Sequence, residues 1–147
     1  MASIYDTSDN TQLINRIQKL NASSTPLWCK MSVDQMCEHC IAAINVAFGK
    51  QDLTISFPMR LLGRLLKNKA FNSDFGKNSP TAKEFRITSH SDFEKSQTQL
   101  IAYVQEFAKG TSVITVMHHP FWGKMSFEDW DKLMYRHLDH HLRQFGV

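Results

Sequence analysis

The chain has 147 residues, 42% hydrophobic and 21% charged, with a formal net charge of +3. That is enough for one domain with a real core, spanning residues 1–147, and the charge is too mild and too dispersed for a nucleic-acid binder. Three cysteines, an odd number, build no disulfide framework.

The first ten residues, Met1–Asn10, lack the basic and apolar runs of a signal peptide. A cytoplasmic location is expected. The first helix is predicted from about Asp9 to Leu20, with Leu13, Ile14, Ile17 and Leu20 on one stripe. The second follows Ser32 and continues to about Phe48, before Gly49. Its greasiest stretch, 41–48, is interrupted by Asn45 and is far too short to span a bilayer, so no stable membrane insertion is expected. This helix is apolar nearly all round and should be the most buried.

A long connection, 49–90, contains a shorter helix from Pro58 to Lys69, with Pro58 suited to a first helical position. Arg60, Arg64 and Lys67 alternate there with Leu61, Leu62, Leu65 and Leu66. The expectation is a lid packed on the other helices with its charges in water, against the alternative of a helix lying on a membrane. The third main helix opens with Ser91-Asp92-Phe93-Glu94, read as a capping box, and stops at Gly110. Thr111 to Trp122 is β-branched and suits a short extended piece, with Pro120 and Gly123 marking a loop. The last helix follows Ser126 and runs to about Phe145, stopped by Gly146. The fold class expected is all-α: a four-helix bundle with a long crossover between the second and third helices.

The chain also echoes itself. Trp28-Cys29-Lys30-Met31-Ser32-Val33-Asp34 resembles Trp122-Gly123-Lys124-Met125-Ser126-Phe127-Glu128. Each copy opens a helix, with a serine at the cap and Gln35 or Asp129 at the third helical position. An approximate two-fold internal symmetry follows, relating the first helix pair to the second.

Counted from the cap serines, His39 is seven residues in, and His137 and His141 are eleven and fifteen in. The offsets differ by four, so the three histidines share one stripe of their respective helices. In the last helix that stripe also holds Trp130, Leu133, Met134, Gln144 and Phe145, while Lys132, Arg136, Asp139 and Arg143 point away. Ala43 and Ala47 stand at the offsets of His137 and His141, and small residues opposite two imidazoles would leave room for an ion. Three neutral imidazoles with an open position match a catalytic zinc pattern. His140 is set to one side as an outer hydrogen-bonding or rim residue, and His118-His119 is read either as a loop lining the pocket or as a solvated turn. No catalytic acid or base is identified.

Other metal readings fit less well. A di-iron bundle needs Glu-x-x-His pairs, and Glu38 is adjacent to His39. The metalloprotease string needs Glu directly after its first histidine, where Leu138 stands. Cys37 lies about 160° from His39 around the helix, so Cys37 and Cys40 are read as small core residues.

A histidine in the second helix, within Gln35-Met36-Cys37-Glu38-His39, followed far downstream by His137-x-x-x-His141, resembles the DinB/YfiT-like superfamily of metal-binding four-helix bundles. The run from His119 through Trp122, Ser126 and Trp130 to Gly146 looks like one branch of it. The resemblance covers nearly the whole chain. It implies one divalent ion, zinc or nickel, held by His39, His137 and His141; from their positions alone, His140, His119 and Trp130 are the candidate outer or pocket residues. It also implies a small-molecule substrate, with a low-molecular-weight thiol as the leading class, and a homodimer. The function expected is a metal-dependent enzyme, a thiol-dependent S-transferase or a hydrolase; the alternative is a non-catalytic sensor or structural metal site.

Overall fold

In the computed structural model, residues 2–79 and 81–147 are described; Met1 and Pro80, inside the expected domain, lie outside the described residues. The chain is mostly helical. Five α-helices, α1 (Thr7–Gln18), α2 (Val33–Ala47), α3 (Phe57–Asn72), α4 (Phe93–Phe107) and α5 (Phe127–Gln144), are joined by loops. Between α4 and α5 two short strands, β1 (His118–His119) and β2 (Gly123–Lys124), pair antiparallel. β1 falls in the segment expected to be extended, while β2 begins at Gly123, which was expected to mark a loop; Pro120 lies in the turn between them.

Local chemistry sets the helix ends. Ser126 Oγ accepts from Asp129 N–H at 3.0 Å, and the Asp129 carboxylate accepts from Ser126 N–H at 2.9 Å. At α2 the Gln35 side chain accepts from Ser32 N–H. These reciprocal bonds satisfy donors that a helix start leaves open. The echo reaches the backbone as well: Cys29 and Gly123, the second residues of the two copies, both take positive φ, 68° and 75°. The start of α4 differs from expectation. Its cap is Asp92, which accepts from Lys95 N–H, because Ser91 is drawn to Asp34 and Ser96.

α1 and α2 each pack against both α4 and α5. Leu13, Ile17, Met36, Ile44, Leu100, Val104, Phe107, Met134 and Leu138 are all essentially sealed from solvent. Burial of this kind stabilises by about 1.5–3 kcal/mol per large side chain. Cys37 and Cys40 belong to that core, as read from the sequence. Burial, reinforced by Glu38 and Asp34, pushes the Cys37 thiol up to about 12, so it stays protonated and inert.

The connecting helix α3 does not pack as expected. Its leucines face solvent, and it meets the rest of the fold through Gly63, Lys67, Ala70 and Phe71. Gly63 is required because any Cβ there would collide with the Phe121 carbonyl. Lys67 reaches Asp129 at 2.8 Å and also the Lys124 carbonyl. Pro58 occupies the second helical position, after Phe57. No helix among the described residues is long and apolar enough to cross a membrane.

Candidate metal centre

His39 sits in the first half of α2, and His137 and His141 sit in the second half of α5. The end of α5 lies beside the segment that leads into α2: the Gln144 amide donates to the Trp28 carbonyl, and Leu27 N–H donates to the Gln144 carbonyl. The three residues each offer a ring nitrogen, and these nitrogens lie within 4.8 Å of one another. His39 Nε2 is 3.0 Å from His137 Nε2, and the His39 and His141 ring centres are 4.6 Å apart. Two nitrogens on a tetrahedral zinc, each about 2.0–2.1 Å from it, are roughly 3.3 Å apart. One pair already stands near that separation.

The outward nitrogens of two rings are anchored. A carbonyl only accepts, so His39 Nδ1–H donates to the Phe85 carbonyl at 2.9 Å. The Gln144 amide donates to the Trp28 carbonyl at 2.9 Å, which turns its oxygen toward His141. His141 Nδ1–H donates to that oxygen at 2.8 Å. Both rings are thereby held with Nε2 unprotonated, and His39 Nε2 accepts from His137 Nε2–H. This is how a metal-binding histidine is oriented from behind. His137 is partly exposed as a residue, but its Nδ1 is enclosed and has no hydrogen-bond partner among the described residues. An unmet buried nitrogen costs about 1–3 kcal/mol.

Burial is the main reason that all three rings resist protonation. It lowers His39 and takes His137 well below the ordinary imidazole range, with His141 and His39 adding repulsion. His141 falls to about 3, from burial first and then the neighbouring His39. The trio is therefore neutral at ordinary pH, the state in which imidazole binds a cation.

Around the trio stands an aromatic rim from the α1–α2 loop, the α3–α4 connection and α5. Phe85 meets the His39 ring edge-on at 5.7 Å. Phe75 meets both His137 and His140, at 6.3 and 6.0 Å. Trp28 contacts His140 at 5.7 Å, and Lys77 lies over the Trp28 ring. His140 is beside His141 at 5.1 Å, half-buried, at the edge where it was placed from the sequence.

His119 and Trp130 lie elsewhere. His119 packs against Trp122 and Trp130, its Nδ1 accepts from the Phe121 and Trp122 N–H groups, and Trp130 donates to the Val116 carbonyl. Among the described residues no ring contact or hydrogen bond joins this cluster to the trio. Ala47 is also remote. It is eight residues beyond His39, about 12 Å along the helix, and its carbonyl accepts from Thr115 and Val116. Asp139 points away as expected, paired with Arg16 at 2.7 Å.

The anchors were not foreseen. Gln144 carried a readable signal, since it is one helical turn after His141 on the same face. The Phe85 carbonyl and the Trp28 carbonyl carried none, because any residue offers a carbonyl and only the loop path selects these two.

Residues 5–146 match the family described as "Protein of unknown function (DUF1569)", and the chain belongs to it. No curated protein and no solved structure matches the chain.

Proposed function

We propose that the chain is a metal-dependent protein of the DinB/YfiT-like kind, with α1, α2, α4 and α5 as a four-helix bundle and α3 carried on the long crossover. Pairwise packing of α1 and α2 against α4 and α5 supports the bundle. The repeated Trp-x-Lys-Met-Ser, its shared positive φ and its two capped helix starts support an approximate two-fold.

His39, His137 and His141 hold one divalent ion, zinc or nickel, since imidazole suits both. Convergence of three ring nitrogens on one point, with two of the rings anchored from behind, carries this reading. Such an ion supplies Lewis acidity and favours the anionic form of a bound thiol or water. The Phe85 carbonyl and the Gln144 amide hold the ligand rings in the binding tautomer, and Trp28, Phe75 and Phe85 narrow the approach. None of the three rings is hydrogen-bonded to a carboxylate among the described residues. Neutral ligands leave the ion's charge uncompensated, so an anionic partner is favoured. A thiol, far more acidic than water, would meet that need by releasing its proton to solvent with no general base nearby, which makes thiol-dependent S-transfer a better fit than hydrolysis.

The same lack of a nearby carboxylate favours a second reading, a sensor or structural metal site without turnover. Untagged protein equilibrated with zinc or nickel should carry about one ion per chain. A chain that stays metal-free, or that carries haem instead, sinks both readings. Thiol-transfer and hydrolase assays with and without the ion then separate them.

A further inference from the structure

Eight large hydrophobic side chains are exposed among the described residues, and six of them are on α3: Phe57, Met59, Leu61, Leu62, Leu65 and Leu66. Scattered exposed leucines need no explanation, but a contiguous set on one helix marks a surface that is covered in use. The outermost ridge is Phe57, Leu61 and Leu65, one helical turn apart, at 79, 54 and 73% exposure. The opposite side of the helix is the one fixed to the protein, through Gly63 against Phe121 and Lys67 against Asp129. The ridge therefore cannot turn inward without α3 leaving its seat.

Charge decides what covers it. Helix α3 carries Arg60, Arg64, Lys67 and Lys69 and no acidic residue. Lys67 is used internally; Arg60, Arg64 and Lys69 are exposed and make no ion pair among the described residues, with Arg60 Nε donating to the Ile55 carbonyl and the Arg64 stem lying against Gly123. Arg60 and Arg64 flank the ridge on one side and Lys69 on the other, at about 100° per residue. A second copy of the same helix would bring more cations and no anion. A bilayer with anionic headgroups supplies both an apolar layer for the ridge and countercharge for its flanks. At 16 residues α3 is about 24 Å long, a length that lies in the interface plane.

We propose that α3 is a membrane-surface contact: its Phe57–Leu61–Leu65 ridge inserts among the lipids of an anionic bilayer, with Arg60, Arg64 and Lys69 at headgroup level. The contact is independent of the metal centre. It is tested with the full, untagged chain by co-sedimentation with phosphatidylcholine vesicles containing about 30% phosphatidylglycerol, and with phosphatidylcholine alone. Partitioning onto the anionic vesicles should exceed that onto neutral ones by more than about tenfold, and should fall as salt is added. L61E/L65E should weaken it by more than about tenfold without changing the helical circular dichroism, because both side chains are already in water. R60Q/R64Q keeps the ridge and should bind more weakly with a shallower salt dependence. No binding to anionic vesicles at low salt overturns the proposal, as does binding that either double variant leaves unchanged. A dimer that L61E/L65E dissociates, with no vesicle binding, overturns it in favour of a second copy on this face.

Discussion

His119 and His141 are 6 and 8% exposed, and burial lowers both, to about 4 and about 3. Burial alone gives no way to tell them apart. Their nitrogens do. His119 receives two backbone N–H groups on Nδ1 and is packed between Trp122 and Trp130, so its lone pair is spent inside the fold. His39 and His141 spend the outward N–H on Phe85 and Gln144 and keep Nε2 unprotonated within the trio, where His39 Nε2 accepts from His137 Nε2–H. The first arrangement holds a hairpin together. The second brings one ring nitrogen from each of three residues within 4.8 Å of one another, an arrangement that could hold a cation. Counting what each ring nitrogen does separates a core histidine from a ligand.

The sharpest way to break this comparison is to delete one member of each cluster. H39A removes a ligand and should weaken divalent-ion binding by more than about a hundredfold, beyond the 10–100-fold typical of an outer partner, as read by calorimetric titration with zinc. H119A should bind zinc as wild type does. It should instead lose about 2–4 kcal/mol of stability in urea unfolding, because two N–H donors are orphaned. The reverse pattern would mean that the two clusters had been assigned the wrong way round.

Acid should separate them less completely. An unfolded imidazole takes its proton near 6.5, while folded His119 takes one only near 4. The unfolded chain thus binds more protons in that interval, so the contribution of His119 is complete above pH 6.5 and is lost as pH falls toward 4. That contribution is about 3 kcal/mol. Urea unfolding of the metal-free chain from about pH 7 to about pH 4.5 should show a clear loss in wild type and a shallower one in H119A. The remaining slope belongs largely to the trio, where His141 is depressed for the same reason of burial. An H119A slope equal to that of wild type would refute the neutral, structural role of His119.

Much of the trio was legible because it depends on local periodicity. The cap serines Ser32 and Ser126 fix where α2 and α5 begin, and helical spacing then places His39, His137 and His141 on one face each. What spacing could not supply was the crossing of the helices. Ala47, aligned with His141 by offset, ends up beside Thr115 and Val116. Helix α3 shows the complementary limit. Its pattern announces an apolar face, but a pattern does not say which side meets the protein. Gly63 was the overlooked signal, since a glycine within a helix is destabilising unless backbone must approach closely. The pull of Asp34 on Ser91 likewise moved the α4 cap to Asp92 through a contact across 57 residues, beyond any local rule.

The smallest expected effect tests the anchoring itself. Gln144 is not one of the three residues that could hold the ion. It accepts from His141 Nδ1–H while donating to the Trp28 carbonyl, so its amide is locked in one orientation and dictates the tautomer of the ring. Q144L removes both bonds and should weaken zinc binding by about 10–100-fold with the three ligands still present. Q144E separates the two bonds. Its carboxylate still accepts from Nδ1–H and makes the ring a stronger donor, but it no longer donates to Trp28. If orientation of His141 is what matters, Q144E should bind zinc at least as tightly as wild type despite losing the Trp28 contact. Equal weakening in Q144L and Q144E would place the effect in the Trp28 loop, and the contrast with His119 would then rest on His39 and its Phe85 carbonyl alone.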